Sequence, residues 1–242
     1  SVLTEDAAPA PETEPPRLPR PAANPAPPEK EEEPSRPASK DIVQLTPGLR
    51  IDRAKRHVDM DATVCLNAGA LELIATTPSG KTHEAIFSIK PKPRHIHAAL
   101  LMLGLRSGMP GRFGFAGATG DPVRIDVIYE QDDEKVSVPI NETIIHNETD
   151  EHLSTNVFLF AGSVLARPEE GKRPIYAADV VGDVISLASF EDEVLALPEA
   201  ASADNGRLVW DVDSDNVPAL NSEVVLRITP LTKKEAQEAL QQ

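Results

Sequence analysis

Lys81-Thr82-His83-Glu84 and His95-Ile96-His97 carry the side chains best suited to proton transfer or metal ligation. An imidazole changes charge near neutral pH, and it is a common ligand for zinc and related ions. If residues 81–89 are extended, alternate side chains share a face. His83 then lies with Ala85, Phe87 and Ile89 toward the core, and Glu84 faces the other way. One regular strand cannot aim both groups at a single atom without a bulge. On a helix beginning at Pro93, His95 falls in the exposed first turn and His97 shares a stripe with Leu100, Leu101 and Gly104. Convergence of His83 and His97 with a carboxylate (Glu84, Glu72 or Asp179) would make an acid–base centre or a site for a single divalent metal. The candidate functional residues are therefore Lys81, His83, Glu84, His97 and Asp179, with His83 and His97 as the metal ligands. The competing reading is architectural: a histidine on an apolar face more often makes a buried hydrogen bond.

Other motifs are weaker. Ala75-Thr-Thr-Pro-Ser-Gly-Lys-Thr82 fits a loosened phosphate-binding loop, but Pro91 and Pro93 leave no room for the helix that must follow it. Nucleotide binding is therefore excluded, and Ser79-Gly80 reads as a turn. Asp211, Asp213 and Asp215 begin like a calcium loop. Asn216 then replaces the required Gly, and Ser222 stands where the twelfth-position Glu belongs. Gly108, Gly111, Gly114, Gly117 and Gly120 recur every third residue, which reads as a long flexible loop over 105–122, a place for a lid. Cys65 is the only cysteine, so neither an iron–sulfur cluster nor an internal disulfide can form. It also lacks an identifiable base to activate it.

The elements that must position these residues are mostly strands. Val58, Met60, Ala62, Val64 and Leu66 alternate with Asp59, Asp61 and Thr63, the period of a half-buried strand. Leu71, Leu73 and Ala75 continue it, and Ala85, Phe87 and Ile89 resume it after a turn. Further strands are expected at 123–130, 135–140, 156–161, 174–177, 183–188, 207–212 and 223–229. Two helices are expected. The first is 93–104, with Pro93 at its start, Gly104 at its stop and a run apolar on every side that demands burial. The second is 232–241, where Thr232 and Glu235 form a capping box. The expected fold class is α+β, a mostly antiparallel β-sheet with one buried central helix (about 93–104) and a short C-terminal helix.

Residues 1–40 hold eleven of the 23 prolines, no glycine and no aromatic residue. Proline fixes φ and removes a donor, so this stretch is expected to be a disordered tether, with 41–242 a single globular domain. The chain begins at Ser1 rather than Met, as a processed or truncated product would. Net charge is −15, which opposes nucleic acid and anionic lipid, and no basic patch with interleaved aromatics reverses it. No apolar run approaches the ~20 residues that span a bilayer.

Four stretches together resemble the bacterial YdjY-like domain family. They are Lys81-Thr-His-Glu-Ala-Ile-Phe87, His95-Ile-His-Ala-Ala-Leu-Leu-Met-Leu-Gly-Leu105, Val157-Phe-Leu-Phe-Ala-Gly-Ser163, and Tyr176-Ala-Ala-Asp-Val-Val-Gly-Asp-Val-Ile-Ser186 running on to Leu197-Pro198. The resemblance covers roughly 58–230 and implies an envelope protein, often a lipoprotein. A ferredoxin-like label attaches to some members, but a single cysteine does not fit it. The resemblance implies no catalytic residues. The expected function is an extracytoplasmic accessory or interaction domain, tethered to the periplasmic side of the envelope and acting on a protein partner there. The alternative is a metal-assisted or acid–base enzyme centred on His83 and His97.

Overall fold

A computed structural model describes residues 41–166, 172–202, 204 and 208–241. The proline-rich leader expected at 1–40 lies outside the described residues, which all belong to one contiguous unit, Ala38–Gln242. In chain order the elements are β1 (Ile42–Thr46), β2 (Leu49–Asp52), β3 (His57–Val64), β4 (Leu73–Thr76), β5 (Ala85–Ile89) and α1 (Pro93–Met102). Next come β6 (Pro122–Gln131), β7 (Glu134–Pro139), a 3-10 turn (Ile140–Thr143), β8 (Ile144–His146), β9 (Phe158–Phe160), β10 (Leu165–Ala166) and β11 (Ile175–Tyr176). The last are α2 (Ala177–Val181), β12 (Asp183–Ser186), β13 (Leu195–Ala196), β14 (Trp210–Val212), β15 (Glu223–Pro230) and α3 (Lys233–Ala239).

The β3 alternation holds: Val58, Met60, Ala62 and Val64 are buried, and Asp59, Asp61 and Thr63 are half-buried on the opposite face. β3 pairs antiparallel with β15 from Val58↔Ile228 to Thr63↔Glu223, and β15 pairs antiparallel with β6. The pairing continues β6–β9–β13–β12–β4–β5, and β5 returns to β3 at Ala62↔Ile89 and Val64↔Phe87. The expected mostly antiparallel sheet therefore closes into an eight-stranded barrel. Two of its contacts, β12–β13 and β4–β5, are parallel. An eight-stranded barrel is narrow enough for side chains to fill. Here Met60, Phe87, Phe158 and Phe160 are fully buried among aliphatic neighbours. β1 and β2 extend one side from β3, and β7 pairs with β6.

α1 begins at Pro93 as expected and ends in a Schellman motif. Gly104, at φ 87°, lets its own N–H reach Leu101 O, and the Leu105 N–H reach Leu100 O. Its burial differs from expectation. Pro93, Ile96, Ala99 and Leu100 are buried against β1, β2 and α2, whereas Leu101 and Met102 face solvent. The helix lies against the β1–β2 extension, so it is neither central nor covered all round. α3 has its capping box: the Thr232 hydroxyl accepts the Glu235 N–H, and the Glu235 carboxylate accepts the Thr232 N–H.

The 105–122 stretch is a braced excursion rather than a free loop. Bridges at Ser107↔Gly120 and Arg112↔Ala116 fold it back on itself, and Gly108 N–H and Ala118 N–H donate to Phe160 O and Pro198 O. Gly117 and Gly120 have a steric cause. A Cβ on Gly120 would strike the Phe160 carbonyl, and one on Gly117 the Pro198 carbonyl.

Candidate functional site

The β4–β5 parallel register decides where Lys81, His83 and Glu84 go. Leu73 lies opposite Ala85, so the chain leaving β4 must return along the strand within residues 77–84. It does so through turns, with Thr82 N–H donating to Gly80 O and Glu84 N–H to Lys81 O. His83 is thus on a turn, not a strand. Its side chain is 77% exposed, with Nε2 3.7 Å from the Glu84 carboxylate. The expected core-facing His83 and outward Glu84 are overturned for this reason.

The same register sets Glu84 beside Glu72, whose N–H donates to Glu84 O. Lys81 Nζ reaches Glu72 Oε2 at 2.6 Å and lies 3.5 Å from the centre of the Phe190 ring. Asp183 at the start of β12 and Asp192-Glu193 before β13 add three carboxylates to Glu72 and Glu84, and the Lys81 charge acts on Glu84, Asp183 and Asp192 as well. Glu72, Asp183 and Glu193 are almost fully buried. Asp183 Oδ1, Asp192 Oδ1 and Glu193 Oε1 have no hydrogen-bond partner. Such burial favours the neutral acid. Burial and the nearby Glu72 carboxylate raise the Glu84 pKa, and burial also raises Asp183 and Glu193. Burial, then repulsion from Asp183 and Glu193, pushes Asp192 up to about 7. The cluster can therefore hold or release a proton near neutral pH.

His97 and Asp179 belong to a second cluster. His97 Nδ1 is 3.0 Å from both Gly162 O and the Tyr176 hydroxyl, and that hydroxyl donates to Gly162 O at 3.0 Å. The ring stands edge-on to Phe160 and Tyr176. Burial lowers its pKa, which keeps the imidazole neutral. Asp179 on α2 caps α1: its Oδ1 accepts the Arg94 N–H at 3.0 Å, and its Oδ2 lies 3.1 Å from Arg94 Nε. The two clusters are linked through the backbone, where Gly162 N–H and Ser163 N–H donate to Val194 O and Glu193 O. Thus Lys81, His83 and Glu84 come together, His97 and Asp179 gather at the α1–α2 contact, and the two histidines bond different partners. Among the described residues, no group of three or more His, Cys, Asp or Glu side chains is arranged to hold a metal ion.

Asp183, Asp192 and Glu193 were absent from the sequence candidates. Their signal was there, in carboxylates embedded among Val184, Ile185, Val194 and Leu195. Also missed was a groove of about 700 Å³ on the outer face of β3 and β15, lined by Arg50, Asp59, Asp61, Lys90, Glu223 and Arg227. Arg227 grips Asp59 through Nε and Nη2 at 2.7 and 2.8 Å, and Arg50 holds Asp61 at 2.7 Å. These are the polar positions of the alternating pattern. Cys65 Sγ points to Ala85 O, and burial raises its thiol pKa, which makes it a poor nucleophile. The Asp213 carboxylate is occupied by His152, Asn216 and the Asp215 N–H, so the calcium-like run is a local turn lock.

The domain is a closed mixed barrel with a helix against its β1–β2 extension and a carboxylate cluster beside one lysine. The YdjY domain model matches residues 49–229, and the chain belongs to that family. The match takes in β2, which the sequence resemblance over 58–230 had left out. No curated protein and no solved structure matches the chain.

Proposed function

We propose that this YdjY domain is an interaction domain of the cell envelope, held on the extracytoplasmic side by its proline-rich leader and without catalysis of its own. The observation that carries the reading is the surface. The barrel closes its own core, yet Met109, Phe115, Leu165 and Val180 stand in solvent. Exposed apolar side chains on braced segments can serve as contact points. His97 and Asp179 fit the reading too, since each makes a bond that holds α1 in place. The test is affinity capture from envelope extract with the full chain, in parallel with a Leu165→Ser/Val180→Ser variant. Reproducible recovery of a partner that the variant loses is expected. Recovery of none in repeated captures, with chemical crosslinking, overturns the proposal.

A second reading rests on the Asp192 carboxyl, whose buried Oδ1 has no hydrogen-bond partner and which burial and the carboxylates of Asp183 and Glu193 push up to about 7 beside Lys81. A group titrating there is matched to general acid–base work at neutral pH. Substrate screening of the wild type against Asp192→Asn decides it. A turnover lost in the variant with the fold intact makes the domain an enzyme.

A further inference from the structure

The chain's net charge of −15 is unevenly spread along the sequence, although in the fold Lys90 pairs with Glu223 and Arg94 with Asp179. The 36 residues from Ala85 to Gly120 contain five cations (Lys90, Lys92, Arg94, Arg106 and Arg112) and no Asp or Glu. The excursion after α1 presents the chain's most exposed aromatic side chain at its tip. Phe115 is 78% exposed, Met109 65% and Phe113 46%. This exposure is built in. The Arg112↔Ala116 bridge, the Met109 N–H bond to Thr119 Oγ1 and the Thr119 N–H bond to Met109 O hold the tip in shape. Arg112 lies 4.5 Å over the Phe115 ring. Met109, Phe113 and Phe115 do not line the groove on β3 and β15.

We propose that this tip seats Met109, Phe113 and Phe115 in the headgroup region of an anionic phospholipid surface, with Arg106 and Arg112 at the phosphates. The proposal rests on the interaction reading above and names its partner. Size favours lipid over protein. Two phenyl rings and a thioether bury a few hundred Å² at roughly 150–250 Å² per aromatic, well short of the roughly 800 Å² per partner in a stable protein interface. A bilayer accepts a small apolar wedge flanked by cations. The acids near the tip are Asp121, paired with Arg106, Glu191, paired with Arg112, and Glu199, exposed beside Gly117. Arg106 is mostly exposed, and both Arg112 and Glu191 are more than half exposed, so these are weak pairs that phosphate can replace.

The test is co-sedimentation of the full chain with vesicles of mixed phosphatidylglycerol and phosphatidylcholine, and with vesicles of phosphatidylcholine alone. Binding to the anionic vesicles that weakens with salt is expected, with a drop of about tenfold or more in Phe113→Ser/Phe115→Ser. Both side chains are exposed, so that variant should fold, which circular dichroism checks. Arg112→Gln should lower binding to anionic vesicles alone. Absence of wild-type binding, or binding unchanged in the double variant, overturns the lipid proposal. If the double variant instead loses a captured envelope protein, lipid is wrong and the interaction reading stands. If neither vesicles nor a protein are bound, both fall.

Discussion

Lys81 and Glu72 form the ion pair on which the carboxylate cluster depends. Removing one partner of a buried pair leaves an uncompensated charge, whereas removing both can be nearly neutral. Lys81→Met should therefore destabilise the domain by about 2–3 kcal/mol, and Lys81→Met/Glu72→Gln should recover at least half of that. Urea denaturation of the four proteins measures the cycle, and additive losses would show that the pair is not coupled. The same cluster sets a pH dependence. The Asp192 pKa is raised on folding, from an ordinary carboxyl value up to about 7. Its contribution to stability is thus complete at low pH and is lost as pH rises through 7. Asp192→Asn should be about 1–2 kcal/mol more stable than wild type at pH 8, a figure reduced for partial exposure, and no more stable near pH 4. Stability curves that stay parallel across that range would remove Asp192 from the cluster. Lys81 and Glu84 stood among the sequence candidates, but their neighbours did not, because Asp183 begins β12 and Asp192-Glu193 precede β13, about 100 residues downstream.

At the scale of elements, local chemistry was readable and long-range pairing was not. Pro93, Gly104 and the Thr232–Glu235 box mark helix ends through contacts within one turn, and all three behave as the sequence predicts. The strands at 58–64, 85–89, 123–130 and 223–229 follow from side-chain alternation or an apolar run. α2 is only five residues long, and β13 only two, too short to carry a period. The α1 capping group was also hidden, because Asp179 is 85 residues from Arg94. Asp179→Ala should cost about 0.5–2 kcal/mol, the value of a lost N-terminal cap. Asp179→Asn keeps an acceptor for the Arg94 N–H and should retain most of the stability. Thermal melts of the two variants check this, and equal losses would assign Asp179 to its ion pair with the guanidinium instead.

For the whole molecule, closure of the barrel is the property that local sequence could not reveal, since the β3–β5 pairing turns a sheet into a ring. β15 is the strand that makes it cooperative. It lies between β3 and β6, and its Arg227 grips Asp59 across 168 residues of chain. Fold formation must therefore wait for the C-terminal strand, and contacts so distant in sequence slow folding into the millisecond-to-second range. Deleting residues 223–242 would expose the facing edges of β3 and β6 together and uncover Met60 and Val127, which are buried in the core. The truncated chain should lose its near-ultraviolet circular dichroism and most amide protection in β3 and β6, far from the cut. An interior substitution such as Phe87→Ala, at the β3–β5 closure, should cost about 3–5 kcal/mol yet leave one cooperative transition. If instead the truncated chain keeps protected amides in β3–β5 and α1, that part folds by itself. The ring would then be assembled from two independent halves, rather than closed in a single step by β15.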